Sequence, residues 1–263
     1  MRVKIIVEPI DPFIIRVGYN SAVQGFIYHN LSVKLADKLH DMGFLHEKRT
    51  FKMFTFSRLY GVNKPLFYDR SNSTLKTDLP FWFILSSPVH DLIREFSSAM
   101  AAEEILNIGG CRVAVSEIDV IKQPVFSDNA AIKMLSPVTV YSTLLKASGD
   151  KKTYYYHPDE PEFNDLCLKN LLKKFSAFFP DKQPLREELS QSPFKIEPLS
   201  HGFAPRQEII KYKGFVIKGY MGAYRIQAHP LLLELAYDSG LGAKNSQGFG
   251  CFELIDSNKE MKC

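Results

Sequence analysis

Leu79-Pro80-Phe81-Trp82-Phe83-Ile84-Leu85-Ser86-Ser87-Pro88-Val89 carries a strand straight into a helix. The apolar, aromatic-rich run 79–85 suits a buried extended chain. Ser87-Pro88 then supplies an N-cap oxygen and a first-turn proline. Val89, Leu92, Ile93, Phe96 and Met100 follow at three- and four-residue spacing and form one helix face, which Gly109-Gly110 is expected to end. Residues 111–121 close the unit as a strand. On the N-terminal side, 51–59 form a strand rich in Phe and Thr. Residues 20–39 form a helix with Ala22, Val23, Phe26, Ile27 and Leu31 on one face, and Val3, Ile5 and Val7 alternate as a first strand.

The same order starts again in the second half. Residues 131–141 form a strand interrupted by Ser136-Pro137. Residues 162–179 form a helix with Phe163, Leu166, Leu171, Phe175 and Phe178 inward and Lys169, Lys173 and Lys174 outward. Strands are expected at 194–198, 208–220 and 224–228. Pro230 opens the apolar helix 231–236, and 249–255 form a last strand. Each half therefore reads β-α-β-β-α-β, and the fold class is α+β with two tandem ferredoxin-like domains. Turn chemistry at Gln123-Pro124 and Ser127-Asp128-Asn129 divides them into 1–125 and 130–255.

Composition sets limits on function. Apolar residues make up 45% and charged residues 24% of 263, which describes a globular chain with material for two cores. No apolar run approaches the ~20 residues that span a bilayer, and the charged start is unlike a secretory signal. Cys111, Cys167, Cys251 and Cys263 are scattered without a CxxC pair. Neither a zinc cage nor a disulfide framework is expected, and a cytoplasmic setting fits. A net charge of +4 permits an anionic partner.

The stretch Gly240-Leu241-Gly242-Ala243-Lys244-Asn245-Ser246-Gln247-Gly248-Phe249-Gly250 punctuates the last third. It is not a Walker A loop, because no glycine precedes its lysine and no Ser or Thr follows it directly. It is not a dinucleotide fingerprint either, since a strand follows where a helix should. Glycines at both ends let backbone approach a phosphate or a neighbouring strand, and Lys244 to Gln247 offer donors at the tip.

This G-h-G-x5-G-h-G pattern, with h apolar, resembles the signature of the repeat-associated RNA-binding superfamily of CRISPR systems. In particular the chain resembles the sixth Cas family, the precursor-CRISPR-RNA endoribonucleases. Three further blocks agree: Tyr19-Asn20…Gln24-Gly25-Phe26-Ile27-Tyr28, Leu35-Ala36-Asp37-Lys38-Leu39-His40-Asp41, and Phe51-Lys52-Met53-Phe54-Thr55-Phe56-Ser57. The resemblance implies metal-independent cutting inside CRISPR repeats, without a cofactor, followed by retention of the guide RNA. Effector-complex subunits are a further implied class of partner, and no membrane is. The competing reading is a catalytically inactive RNA-binding scaffold subunit on the same fold.

Cutting RNA without a metal makes the 2′-hydroxyl attack its own phosphate. This requires a base, an acid for the leaving 5′-oxygen, and a cation for the developing charge. Seven histidines compete for the proton roles: His29, His40, His46, His90, His157, His201 and His229. His229 and His90 sit at helix starts and read as structural. The resemblance implies His40 as the catalytic histidine, with Tyr28 and Lys52 at the family's tyrosine and lysine positions; among the other histidines His46 is the runner-up. On an ideal strand Lys52 would share a face with Phe54 and Phe56.

RNA contacts are expected from Lys244, Asn245, Ser246, Gln247, Gly242, Gly248 and Arg206. Lys211, Lys213 and Lys218, and the basic-aromatic run 151–157, are further candidates. One straight helix from Asn20 to His40 would hold Tyr28 and His40 ~18 Å apart along its axis. If both act on one phosphate, the helix must break at 30–33, where Ser32 can cap a second helix with Leu35, Ala36 and Leu39 inward.

Overall fold

The protein is described here from a computed structural model, which covers residues 1–39, 43–145, 149–199 and 204–255. Arg2–Pro9 is the centre of the first sheet. It runs antiparallel to Cys111–Ile121 on one side and to Phe81–Ser86 on the other. Phe81–Ser86 pairs in turn with Thr55–Phe56. The sheet order of the four strands is thus fourth, first, third, second, the ferredoxin-like arrangement. Val3, Ile5 and Val7 are fully buried on the face that receives α1 (Asn20–His29), α2 (Val33–Asp37) and α3 (His90–Ala102). Phe26 of α1 meets the Phe83 and Phe96 rings edge-on at 6.4 and 5.7 Å, so both helices are fixed to the sheet through one aromatic cluster.

The second sheet repeats the order: Lys195–Pro198, Ala223–Gln227, Asn129–Met134, Phe252–Ile255. Its core gathers α4 (Pro161–Phe178), α5 (Gln183–Gln191) and α6 (Pro230–Ser239) through Phe163, Leu171, Phe175, Leu189, Leu232 and Leu233. The fold is two ferredoxin-like units in tandem. They are joined by more than a linker. The Arg2 guanidinium is 1% exposed, lies 3.4 Å from the Tyr237 ring centroid, and donates to the carbonyls of Phe252 (2.6 Å) and Tyr237. The first strand of one unit is thereby tied to the last helix and strand of the other.

Several boundaries differ from the sequence expectation. The 20–39 segment is two helices: α1 ends at His29, and Ser32 Oγ accepts from Leu35 N at 3.3 Å to open α2. Leu35 and Leu39 are buried and Ala36 packs against the same core, as the break required. The expected strand 51–59 shortens to Thr55–Phe56, because Met53 takes a left-handed conformation with φ 53°. α3 starts at His90, since Ser87 donates to the Met53 carbonyl at 2.6 Å and accepts from Val89 N, which holds 87–89 outside the helix. That helix ends at Ala102. Gly109-Gly110 instead turns a hairpin between Leu106–Ile108 and Cys111–Ile121.

In the second unit the strand expected at 131–141 divides into Asn129–Met134 and Tyr141–Leu145, the latter paired with Lys151–Tyr155. The stretch 208–220 is a hairpin of Arg206–Tyr212 with Phe215–Met221. The last strand begins at Phe252 rather than 249. Lys174 is the sharpest correction: it is 2% exposed and points inward.

Candidate active site and nucleic-acid interface

The glycine-rich loop is braced from inside. Asn245 is buried, and its Nδ2 donates to the carbonyls of Leu241 and Phe249, both at 3.0 Å. Its amide therefore closes the loop and is not presented at the tip. Gly242 (φ 69°) passes so close to Thr139 that a Cβ would stand 2.6 Å from that carbonyl oxygen. Gly248 (φ 82°) is wedged between Phe56 and Asn20, where a Cβ would lie 2.5 Å from the ring and 2.6 Å from Nδ2. Below the loop, Lys174 Nζ donates to Gly240 O at 2.6 Å and Gly242 O at 3.3 Å. Burial pulls that ammonium down to about 7, against a smaller opposing effect of the Cys167 thiol.

Helix α1 holds the loop from the first unit. Asn20 Nδ2 donates to Gln247 O (2.7 Å) and Gly248 O (3.2 Å), and Gln24 Nε2 donates to Ser246 O (2.8 Å). Tyr212, from the Arg206–Tyr212 hairpin, donates its hydroxyl to Gln24 Oε1. Thr55 Oγ1 adds a bond to Phe249 O at 2.9 Å. Asn20, Gln24 and Tyr28 follow one another at four-residue spacing, so they share a helix face and climb it by ~6 Å per step. Tyr28 thus stands one helical step beyond the residue that grips the loop.

The Tyr28 ring meets Phe54 edge-on at 5.6 Å. Burial, and then the charge that Tyr212 would carry if ionised, push the Tyr28 phenol up to about 12. It is a donor at neutral pH. Lys52 is half-buried, two residues before Phe54. Its expected alternation with Phe54 and Phe56 fails, because the Met53 turn buries 53–57 without a break. His40 and His201 lie outside the described residues. His46 is in the hairpin of Phe44–His46 with Arg49–Phe51. His229 caps α6 through Leu231 N, and His157 packs on Tyr220.

Among the remaining expected RNA contacts, Lys244 has φ 60° and holds Nζ 4.9 Å from the Tyr141 ring centroid. Burial lowers its pKa. Ser246 and Gln247 are half-buried, with the Gln247 Oε1 enclosed and unpartnered among the described residues. Arg206 is exposed and pairs with Glu208 at 2.8 Å, which also meets Arg58 at 3.4 Å. Lys211, Lys213 and Lys218 are exposed on their hairpin. No three His, Cys, Asp or Glu side chains converge as a metal cage would require among the described residues. Sequence reading assigned no role to Asn20, Gln24, Tyr212 or Lys174. The four-residue spacing of Asn20, Gln24 and Tyr28 was the available signal for the first two.

Residues 121–254 match the family model described as CRISPR associated protein Cas6, C-terminal, and the chain belongs to that family. It is 28% identical over 265 residues to the CRISPR-associated endoribonuclease Cas6 of Pyrococcus furiosus, covering 94% of this chain and 86% of that protein. It is 26% identical over 222 residues to CRISPR-associated endoribonuclease Cas6 1 of Methanocaldococcus jannaschii, covering 83% and 81%. The fold is shared with a solved Cas6-related protein from Pyrococcus furiosus at TM-score 0.79 and 20% identity, over 98% of this chain and 99% of that one. No described helix is long and apolar enough to cross a membrane.

Proposed function

We propose that this chain is an endoribonuclease that cuts CRISPR repeat RNA without a metal ion and then retains the guide product. The observation that carries the reading is the shared face of α1. Asn20 and Gln24 grip the glycine-rich loop, and Tyr28, one step further on, faces the segment that brings in Lys52. An RNA held at the loop would pass over a phenol donor and an ammonium. The Pyrococcus and Methanocaldococcus relatives are named CRISPR-associated endoribonucleases, which supports the endoribonuclease part of this reading.

In the proposed mechanism His40 and Tyr28 handle the protons of 2′-hydroxyl attack, and Lys52 offsets charge on the phosphorane-like transition state. Tyr28, held protonated, suits donation to the leaving 5′-oxygen or to a phosphate oxygen. His40 is then the base. Residues 1–125 supply this chemistry, and 130–255 supply the RNA-holding loop. Lys244, Ser246, Gln247 and Arg206 contact RNA directly, with Gly242 and Gly248 allowing close backbone approach and Asn245 holding the loop's shape.

The test is cleavage of a repeat RNA in excess EDTA, with product ends identified. The expected products carry a 2′,3′-cyclic phosphate and a 5′-hydroxyl, and a 2′-deoxy substitution at the cut site stops cutting while sparing binding. Continued cleavage of the deoxy substrate overturns the mechanism. Tight RNA binding with no cleavage by the wild-type protein selects the scaffold reading instead.

A further inference from the structure

A cleft of about 400 Å³ runs beside the loop, between the hairpin ending in Arg49–Phe51, helix α4 and the strand Tyr141–Leu145. Ala243 of the glycine-rich loop lines it together with Tyr141, so the cleft continues the surface on which Lys244 lies over Tyr141. Arg49, Lys169 and Lys173 line it. Lys169 and Lys173 are four residues apart on α4, on one face and ~6 Å apart in rise. Lys173 meets Glu47 only at 3.9 Å, and neither Arg49 nor Lys169 has a carboxylate partner among the described residues. Cations gathered this way repel one another unless an anion enters.

One neutral feature narrows the anion's class. Tyr141 is half-exposed at the cleft wall and presents an aromatic surface. An aromatic surface beside a row of cations matches a base and its backbone phosphates. A simple inorganic anion would use only the cations.

We propose that this cleft holds a single-stranded segment of RNA that continues from the glycine-rich loop, with Arg49, Lys169 and Lys173 on its phosphates. The proposal rests on the RNA-binding reading above and extends it to residues outside the loop. Arg49 also lies three positions before Lys52, so the occupied nucleotides would lie near the cut.

The experiment measures affinity for a repeat RNA as a function of salt, for the wild type and for Arg49→Ala/Lys169→Ala/Lys173→Ala. Each single-strand phosphate contact contributes ~0.7 to the slope of log K against log salt. The triple variant should lose about 2 from that slope and bind about tenfold or more weakly. Lys169→Gln alone, a single exposed change, should lose ~0.7. A wild-type slope in both the triple variant and Lys169→Gln overturns the cleft proposal while RNA binding itself stands. A wild-type protein that binds no repeat RNA overturns the functional reading and this proposal with it.

Discussion

Gln24 and Ser246, 222 residues apart in the chain, are joined by a 2.8 Å bond from the Gln24 Nε2 to the Ser246 carbonyl. The same amide accepts from the Tyr212 hydroxyl through its oxygen. One side chain on the first unit's helix therefore ties together the second unit's loop and its hairpin. The net value of such a bond is about 0.5–1.5 kcal/mol. Gln24→Ala should weaken repeat-RNA binding by about three- to tenfold through a loosened loop. Tyr212→Phe should do less, and the double variant should lose less than the sum, because one network is cut twice. Strictly additive losses in a binding titration would mean that the three groups do not act as a unit.

His40→Ala is expected to lower the cleavage rate by ~10²–10⁴ and leave RNA affinity nearly unchanged. Lys52→Ala should lower the rate by a similar order, because an ammonium facing developing negative charge acts mainly in the transition state. Single-turnover rates alongside equilibrium binding separate the two effects. If His46→Ala silences the protein and His40→Ala does not, the base is His46.

What was legible in the sequence follows from how local each signal is. The strand Phe81–Ser86 and the apolar face of α3 were readable because burial imposes a period on neighbouring residues. The break at 30–33 was readable from reach: two residues on one long helix could not meet at one phosphate. The α3 start was misread because Ser87 has a distant partner, the Met53 carbonyl, that outweighs its capping role. Gly109-Gly110 was misread because paired left-handed glycines serve a helix end and a two-residue hairpin equally well. Lys174 was placed outside because its charge said so. Its partners are carbonyls 66 and 68 residues away, which no local pattern reports. At the candidate site, the glycine spacing was plain, but the inward turn of Asn245 was not. An asparagine between glycines offers the same donors whether it faces RNA or its own loop.

Tyr28 has a distinct signature in a pH–rate profile. Its phenol, pushed up to about 12 by burial and by Tyr212, stays protonated throughout the neutral range. The limb expected there belongs to a histidine base, because the unperturbed imidazole value is ~6.5. Tyr28→Phe should therefore lower the plateau and leave the position of the neutral limb unmoved. His40→Ala should remove the limb. A wild-type rate that climbs with pH through the alkaline range, and a climb that is lost in Tyr28→Phe, would show instead that the phenolate form acts as a base.

Lys174 predicts a pH dependence of stability rather than of chemistry. Its folded pKa is pulled to about 7, against 10.5 as its ordinary value, so between these limits the unfolded chain binds more protons than the folded one. Stability contributed by this group therefore rises with pH across that window, by up to about 1.4 kcal/mol per unit. Below about 7 both states carry the proton and the penalty for burying it is constant. Cys167, pushed up by the same burial, stays a thiol through the window. Lys174→Met fills similar space but leaves the Gly240 and Gly242 carbonyls without this donor, at a cost of about 1–3 kcal/mol. Urea melts of both proteins from pH 7 to pH 10 subtract the titrations they share. The wild-type advantage should widen steadily with pH, and the variant should also bind repeat RNA more weakly because its loop has lost its floor. A difference that stays flat with pH would mean that the buried amine keeps its ordinary protonation, sheltered by the two carbonyls it faces.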